Sequence, residues 1–260
     1  MKMDFFALAK QQFLKDYHLK EFPKEEICIK ESEPFDKEAM KYLKGTPFLN
    51  FVYFGSNLFI SADAHIIDFA YQYALKTKPN LFRVFDAPNV FYLNTILEKQ
   101  GYTIAYLAQY FLPNSSFQRT EDYHYNLRIL KDDEIEILYG IPHFSMALCG
   151  TTKKERRDCI AVICEHDEQI VGVAAASNDG NDLWNIGVDV VPTYRHKGIG
   201  TELVIRLKEE ILQLGKCPFY CCAWSNIASK RLASKAGFID AWVELAAKPI
   251  EEEWIQKIRN

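Results

Sequence analysis

The sequence predicts an α/β protein of the α+β kind, with a mixed central sheet flanked by helices and an additional α/β domain at the amino terminus. Short segments rich in β-branched and aromatic residues alternate with segments of helical apolar spacing along the chain. At 260 residues, of which 48% are apolar, the chain can form two domains that each bury a core.

A polar, turn-rich segment, PNSSFQRTE at 113–121, separates the two predicted domains, which we place at residues 1–118 and 119–260. In the first domain we expect one or two helices within residues 1–45, the first with Phe6, Ala9, Phe13 and Tyr17 on one side. Two strands over Phe48–Ser61 around Gly55–Asn57 follow, and then a helix that is capped by Asp63 and runs to about Lys76 with Ile66, Ala70 and Tyr73 inward. The domain ends with a short buried strand over Leu81–Asp86, a helix from Pro88 to Gln100 and a strand over Thr103–Leu112.

The second predicted domain is more regular. Residues Cys159–Cys164, Ile170–Ser177 and Leu183–Val191 are expected to form three consecutive antiparallel strands, and Gly198–Leu214 shows helical apolar spacing. The remaining elements are a strand over Tyr123–Ile129, a helix over Lys131–Tyr139, an irregular or helical segment to Arg157, a strand over Phe219–Trp224, a helix capped by Ser225 or Asn226, a strand over Ile239–Ala247 with alternate residues on opposite faces, and a helical tail from Glu251.

A basic, glycine-rich loop joins the central strand to the long helix, with the sequence Arg195-His196-Lys197-Gly198-Ile199-Gly200. The first amides of a helix lack partners inside it, and the helix dipole adds partial positive charge there. Glycines allow backbone N–H groups to approach a phosphate closely. Arg195 and Lys197 add charge and Thr201 adds a hydroxyl, so the loop predicts a pyrophosphate site; an ordinary strand–helix turn is the alternative.

Two motifs, one over residues 188–200 and the other over residues 226–238, together resemble those of the GNAT superfamily of N-acetyltransferases. The first is V-x-V-x-P-x-x-R-x-K-G-I-G at 188–200, which is similar to the acetyl-CoA loop of that family. The second is Asn226-Ile-Ala-Ser229-Lys-Arg-Leu232-Ala-Ser-Lys-Ala-Gly237-Phe238, at the expected distance downstream. The resemblance covers about residues 123–247 and implies the GNAT acyl-CoA N-acyltransferase fold, with acetyl-CoA as co-substrate.

The resemblance also implies where acetyl-CoA binds. The pantetheine arm lies in a gap beside the central strand, along Val188 and Val190, with the Val188 N–H facing the acetyl oxygen. Asn226 contacts the pantetheine amides, while Ser229 and Lys230 reach phosphate oxygens. The complete implied cofactor-binding set is Val188, Val190, Arg195, His196, Lys197, Gly198, Ile199, Gly200, Thr201, Asn226, Ser229 and Lys230. The plainer alternatives are sheet core for the valines, helix capping for Asn226 and solvated surface for Lys230.

The general acid and base are not identified from the sequence. Ala233 stands where many relatives carry a tyrosine that protonates the departing thiolate. The face of the central strand that meets the amine is apolar, because Trp184, Ile186 and Val188 share it while Asn185 and Asp189 point the other way. The remaining candidate bases are Asp182, Glu165, His166 and His143, and the pattern favours none of them.

The resulting functional hypothesis is an N-acetyltransferase that moves the acetyl group of acetyl-CoA to a small primary amine in a ternary complex. A non-catalytic acyl-CoA-binding protein is the alternative. Aminoacyl transferases that use charged tRNA, which also pair two such domains, are a third hypothesis, against which the net charge of −4 counts. The overall layout resembles the zwittermicin A resistance type of GNAT protein. Trp184, Tyr220 and Trp224 would suit an apolar or cationic amine, and they are equally good core residues.

Composition narrows the remaining possibilities. The acidic balance argues against nucleic acid as a partner, and the seven cysteines show no metal-ligand spacing. With neither an apolar run long enough to cross a bilayer nor a signal sequence, we expect a cytoplasmic protein that does not bind membranes; it could form a homodimer. Leu97–Tyr102 echoes Leu232–Phe238, which leaves two interpretations open: the first half is a degenerate copy of the same fold, or both segments are simply glycine-capped helices before a strand.

The carboxyl-terminal edge of the sheet is the last open question. A typical GNAT chain adds a strand after the position of Ala247, and no such strand is evident in this sequence. The edge is therefore expected to be left bare, or to be covered by the first domain or a partner.

Overall fold

A computed structural model describes residues 3–117 and 122–251. The chain forms two compact units, each assembled from separate stretches of sequence. The first unit comprises Met1–Phe13, Lys37–Leu43 and Tyr110–Asp240, and the second comprises Leu14–Asp36, Lys44–Gln109 and Ala241–Asn260. Helix α1 (Phe5–Asp16) and strands β4 (Tyr102–Pro113) and β10 (Phe238–Pro249) contribute residues to both. The division of the chain at residue 118 stays a prediction.

The second unit is a sheet with helices packed on it. Its elements are β1 (Ile27–Glu31), β2 (Leu49–Tyr53), β3 (Leu58–Ala62), α2 (Ile67–Leu75), a 3₁₀ helix (Leu81–Phe85), α3 (Ala87–Glu98) and the adjoining parts of β4 and β10. The strand order is β1-β3-β2-β10-β4. The hairpin is confirmed: β2 and β3 are antiparallel, and the Phe54 N–H donates to the Asn57 carbonyl at 3.0 Å. Ile66, Ala70 and Tyr73 are buried, as predicted.

Three predictions for this unit are wrong. Leu81–Phe85 is a 3₁₀ helix rather than a strand, because its buried residues Leu81, Val84 and Phe85 have helical spacing. Strand β1 was not predicted, although Ile27 and Ile29 alternate with Cys28 and Lys30; it pairs in parallel with β3. Asp63 does not cap α2. Its carboxylate accepts from the His65 N–H at 2.9 Å, which forms a local turn, and the helix begins four residues later.

Strand β10 lies between β2 and β4 in this unit. Val243–Ala246 pair antiparallel with Asn50–Tyr53 of β2, so residues from the first half of the chain cover the edge that the sequence left open. The prediction that alternate residues of this strand lie on opposite faces does not give one buried and one exposed face. Four consecutive residues, Glu244–Ala247, are buried, and Ile239 is exposed. Burial of Glu244 is accompanied by a hydrogen bond from the Tyr106 hydroxyl at 3.0 Å. The predicted helical tail lies outside the described residues beyond Glu251.

The first unit also consists of strands with helices packed on them. Its elements are β5 (Leu127–Lys131), a 3₁₀ helix (Asp132–Leu138), β6 (Asp158–His166), β7 (Gln169–Ser177), β8 (Leu183–Val190), a short 3₁₀ turn (Pro192–Tyr194), α4 (Ile199–Gln213), β9 (Cys217–Ala223), α5 (Ile227–Lys235) and the adjoining parts of α1, β4 and β10. The strand order is β4-β9-β8-β7-β6-β5. The predicted antiparallel β6-β7-β8 arrangement is confirmed, and β8 and β9 are parallel.

Helix α4 packs its apolar face on this sheet. Ile199, Leu203, Leu207 and Ile211 are all buried, as their spacing predicts. The contact is close because β7 carries Gly172 at this place: a Cβ there would lie 2.9 Å from the Leu203 side chain. Ala9 and Phe13 of α1 and Tyr17, which directly follows the helix, are buried, whereas Phe6 is 39% exposed, so that predicted face is confirmed except at its first residue.

Two predicted elements of this unit shift. The first strand begins at Leu127 rather than Tyr123, because the tyrosines before it are held by α4: the Tyr123 hydroxyl donates to Glu209 at 2.6 Å. The helix expected after it is a 3₁₀ helix, Asp132–Leu138.

The internal repeat is matched in part. The segments α3–Gly101–β4 and α5–Gly237–β10 have the same order, and both glycines have positive φ. The strand that the repeat requires before α3 is replaced by the 3₁₀ helix.

Candidate functional site

Strands β8 and β9 separate along their length. They pair from Leu183 with Cys217 as far as Ile186 with Tyr220, and no pairing follows, although β8 continues to Val190 and β9 to Ala223. On its other edge β8 stays paired with β7 as far as Val190 with Gly172. The ends of β8 and β9 therefore leave a gap between them, within the first unit.

The backbone groups of Val188 and Val190 face this gap. The Asp182 carbonyl accepts from Cys217 of β9 at 2.7 Å, whereas the Val191 N–H donates to Val171 of β7 at 2.9 Å. Along a strand, the backbone groups of alternate residues point to the same edge, so even-numbered residues of β8 face β9. Beyond Ile186 there is no pairing with β9, and the Val188 and Val190 N–H groups face the open side.

The glycine loop presents a row of backbone donors. His196 has φ 62° and Gly198 has φ 91°, and these left-handed conformations turn successive N–H groups into one concave surface. Within residues 3–117 and 122–251, no hydrogen-bond acceptor lies opposite the N–H groups of 196–200. Gly198 is the N-cap of α4, so the positive end of the helix dipole reinforces this surface. The arrangement suits an anion.

Side chains outside the motif hold the loop in place. The Tyr125 hydroxyl donates to the Lys197 carbonyl at 2.6 Å. The Glu202 carboxylate, in the first turn of α4, accepts from the His124 N–H at 3.0 Å and the Tyr125 N–H at 3.2 Å. Sequence reasoning missed Tyr125 and Glu202. An acidic residue in the first turn of a helix was the available signal, but its partners lie more than 70 positions away.

The end of β8, the start of α4 and helix α5 meet at Gly200. A Cβ on Gly200 would lie 3.0 Å from the Leu232 side chain of α5 and 3.4 Å from the Val190 side chain. The glycine therefore permits close packing as well as access to the backbone. Together, the gap, the loop and the first turn of α5 bring the predicted residues of both motifs into one region.

Helix α5 begins as predicted. Asn226 is its N-cap, and the side-chain carbonyl accepts from the Ser229 N–H at 3.1 Å. The Ser229 hydroxyl forms a hydrogen bond with the hydroxyl of Tyr220 on β9, at 2.6 Å. Burial raises the pKa of Tyr220 to about 12. Lys230 is half-buried. Contact of Ser229 and Lys230 with phosphate stays a prediction.

The opposite face of β8 carries a loop that lies unusually close. A Cβ on Gly187 would lie 2.6 Å from the Met146 carbonyl oxygen and 2.9 Å from the Ala147 Cα. Next to it, the Asp189 carboxylate accepts from the Met146 N–H at 2.7 Å and the Ala147 N–H at 2.9 Å. Burial raises the pKa of Asp189, although these two hydrogen bonds oppose the shift. As predicted, Asp189 points away from Val188 and Ile186. The prediction that the face of Trp184, Ile186 and Val188 meets the amine is wrong, because these residues pack in the core cluster that α4 completes.

The candidate bases are not gathered into one group. Asp182 pairs with Lys216 at 3.2 Å, and Glu165 pairs with Arg128 at 2.8 Å. His166 lies against the ring of Tyr194, with 5.4 Å between centroids. His143 has φ 79° and belongs to the loop before Met146. In the described part of the chain no cluster of histidine, cysteine or acidic residues could hold a metal ion. No helix among those residues is long and apolar enough to cross a membrane.

Comparison with known proteins identifies the class of this domain. Residues 118–238 match the family described as "Acetyltransferase (GNAT) family", so this part of the chain is a GNAT acetyltransferase family domain. The GNAT fold prediction is thereby confirmed, and acetyl-CoA is the co-substrate that this family uses. The match covers somewhat less than half of the chain. No curated protein matches the chain.

The solved structures that match this chain share little sequence with it. A GNAT-family protein from Novosphingobium aromaticivorans is 14% identical over 56% of this chain and 66% of its own, with a TM-score of 0.44. A GCN5-related N-acetyltransferase-like protein from Streptococcus suis is 12% identical over 65% of this chain and 75% of its own, with a TM-score of 0.44. The protein yncA from Salmonella typhimurium, solved with its cofactor acetyl-CoA, is 15% identical over 50% of this chain and 96% of its own, with a TM-score of 0.36.

Proposed function

We propose that this protein is an N-acetyltransferase that moves the acetyl group of acetyl-CoA to a primary amine of a small molecule. One observation carries the proposal. The unpaired end of β8 lies directly before a loop whose N–H groups at 196–200 have no acceptor in the described residues. An open strand edge next to an anion site suits a ligand that joins an extended amide chain to a pyrophosphate.

Acetyl-CoA has these two parts. The pantetheine arm carries amide groups that can pair with Val188 and Val190 as an added strand. The pyrophosphate would bind the N–H groups of 196–200, together with the charges of Arg195 and Lys197 and the Thr201 hydroxyl. Asn226 and Lys230, in the first turn of α5, would contact the ligand from the other side. The role of each of these residues is a proposal.

The reaction needs few groups from the protein. The neutral amine attacks the thioester carbonyl carbon, a C–N bond forms, the C–S bond breaks and the sulfur keeps the electron pair. The Val188 N–H would stabilise negative charge on the carbonyl oxygen as the amine adds. The proton that the nitrogen loses can pass to water, because holding an amine beside the thioester already supplies much of the rate.

The amine site is proposed to lie beside the loop that packs on Gly187 and Asp189. This loop belongs to the connection between β5 and β6, and it reaches the central strand directly across from the gap residue Val188. Trp224, which follows β9 and is 37% exposed, would suit an apolar or cationic amine. The zwittermicin A resistance type, a cytoplasmic location, a homodimer and the lack of nucleic-acid or membrane partners remain proposals.

Binding of acyl-CoA without turnover is the second candidate. It is favoured by two observations: Ala233 is fully buried, so α5 offers no hydroxyl at that position, and the Asp189 carboxylate is engaged by backbone N–H groups. The two candidates differ in one measurable property, which is whether release of free CoA depends on an added amine.

Calorimetric titration with acetyl-CoA tests the common part of both candidates. Thiol release with a panel of primary amines then separates them. Binding with amine-dependent release supports the transferase, and binding without release under any amine supports the second candidate. Absence of binding at saturating acetyl-CoA would overturn both.

A further inference from the structure

A pair of hydroxyl groups connects β9 to α5 beside the gap. The Tyr220 hydroxyl lies 2.6 Å from the Ser229 hydroxyl, and Tyr220 is only 3% exposed. Tyr220 is also the β9 residue of the last pair with β8, opposite Ile186. The hydroxyl pair therefore belongs to the end of the gap where the two strands begin to separate.

Ser229 occupies the face of α5 that carries the second motif. It lies three residues after Asn226 and four before Ala233, a spacing that places all three on one side of the helix. Ala233 is fully buried in the same core cluster as Tyr220. The phenol in this part of the core thus comes from β9, and the side of α5 that begins at Asn226 contributes the small side chains of Ser229 and Ala233.

The reacting part of a thioester would lie within reach of this region. Val188 is two residues beyond Ile186, which is about 7 Å along an extended strand. The Val188 N–H faces the gap, and α5 approaches the end of β8 through the Leu232 contact at Gly200. A carbonyl oxygen at Val188 would therefore leave its sulfur on the side of the gap that α5 borders.

Cys222 lies two residues after Tyr220 on β9, on the same side of that strand. Burial raises the pKa of its thiol, and the neighbouring Ser229 opposes the rise. The Tyr220–Ser229 pair can form in either direction. When the Tyr220 hydroxyl donates to Ser229, the Ser229 proton is directed away from the pair and is available to another acceptor.

From this geometry we propose that Ser229 donates a hydrogen bond to the sulfur of the departing CoA, in place of the phosphate contact that the resemblance implied, and that Tyr220 holds Ser229 in the donating orientation. The proposal rests on the proposed transferase function. As the C–S bond breaks, the sulfur keeps the electron pair, and the Ser229 O–H stabilises that charge while the Tyr220 O–H donates to Ser229. No proton needs to leave either residue. One of the two protons of the attacking amine passes to water, and the other stays on the nitrogen of the new amide. Tyr220 is a positioning residue in this scheme, because it acts through Ser229.

The test compares Tyr220→Phe and Ser229→Ala with Cys222→Ala as the matched control. Phenylalanine keeps the ring that packs against Phe111 and Phe238, so it removes only the hydroxyl. Both hydroxyl variants are expected to lower kcat about 10- to 100-fold, as loss of a hydrogen bond to a charged group would, while the Kd for acetyl-CoA stays within about twofold. Cys222→Ala is expected to keep wild-type kcat within about twofold.

A second acyl donor distinguishes this role of Tyr220 and Ser229 from a general loss of structure. The selenoester analogue of acetyl-CoA has a more acidic leaving group, which needs less stabilisation. The defect of Tyr220→Phe is therefore expected to shrink on the selenoester to less than about threefold. An equal defect on both donors, unchanged kcat in Tyr220→Phe, or a defect in Cys222→Ala as large as that of Ser229→Ala would each overturn the proposal. Since the wild-type protein is assayed alongside, absence of wild-type turnover instead refutes the transferase function.

Discussion

The carbonyl oxygen of Val190 accepts a hydrogen bond from the Arg195 Nε at 2.9 Å. This bond ties the last residue of the central strand to the first residue of the glycine loop. It also satisfies a backbone carbonyl that faces the gap, where β9 no longer pairs. The terminal nitrogens of the same guanidinium retain donors for a phosphate.

Replacing Arg195 by lysine is expected to weaken acetyl-CoA binding about tenfold or more. The guanidinium can donate to the Val190 carbonyl through one nitrogen and to a phosphate through the others. The lysine ammonium is a single point of charge and cannot make both contacts with that geometry. Calorimetry measures the effect, and Arg128→Lys, in an exposed ion pair with Glu165, is the control. Equal affinities in the wild type and Arg195→Lys would contradict the assignment.

Gly198→Glu is expected to abolish acetyl-CoA binding, because it places negative charge where the pyrophosphate is proposed to bind. Gly198 has φ 91°, so any side chain there also costs about 1–2 kcal/mol of stability. Gly198→Ala carries the same backbone cost without the charge, since nothing lies within 4 Å of its Cβ position. Titration of both variants separates the two effects. Wild-type affinity in the glutamate variant would show that the loop is only a turn.

Two substitutions at Asn226 distinguish capping from ligand binding. Asn226→Asp keeps an oxygen that can accept from the Ser229 N–H, whereas Asn226→Ala removes the cap and is expected to cost about 1 kcal/mol. Both remove the side-chain NH₂ group that is proposed to contact pantetheine. We therefore expect weaker acetyl-CoA binding in both variants and a lower Tm only in the alanine variant. Full affinity in Asn226→Asp would leave capping as the sole role.

Gly187→Ala tests whether the loop on the far face of β8 borders the amine site. The new methyl group would lie 2.6 Å from the Met146 carbonyl, so the loop must move. We expect a loss of stability of about 1–3 kcal/mol and a rise in the KM for the amine, with little change for acetyl-CoA. Gly172→Ala, which crowds α4 instead, serves as the control. An amine KM that responds equally to both variants would argue against a specific role of the loop.

Lys208 makes stability depend on pH in the alkaline range. It is 5% exposed, its ammonium group donates to the Ala236 carbonyl and lies 4.0 Å from the Phe117 ring centroid, and burial lowers its pKa to about 8. Below pH 8 the folded and unfolded states are both protonated at this site. Between pH 8 and about 10.4 only the unfolded state keeps the proton, so stability rises with pH across that window.

Urea denaturation at pH 7, 8, 9 and 10 measures this dependence against Lys208→Met. The wild type is expected to gain up to about 3 kcal/mol relative to the variant as the pH rises through that window. The comparison cancels other groups that titrate in the same range. A difference between the two proteins that stays constant with pH would contradict the assignment.

Most elements of the first unit follow from local pattern. The β6-β7-β8 strands, α4 with its buried apolar face and the Asn226 cap were all predictable, because periodicity and capping chemistry act within a few residues. Short apolar runs were less reliable. Leu81–Phe85 has the composition of a strand, yet its three buried residues have helical spacing. At Tyr123, hydrogen bonding to α4 replaced the predicted strand.

By itself, the sequence determined the strand–loop–helix unit around Gly198, the second motif at Asn226 and the absence of any acid or base on the apolar face of β8. Those features are local, since each depends on residues within one or two helical turns. Only the tertiary structure decided where β8 and β9 separate, which side of β8 the Met146 loop covers and that Tyr220 meets Ser229. Such contacts join residues of different elements, and a one-dimensional pattern specifies which face a residue occupies but not which element covers that face.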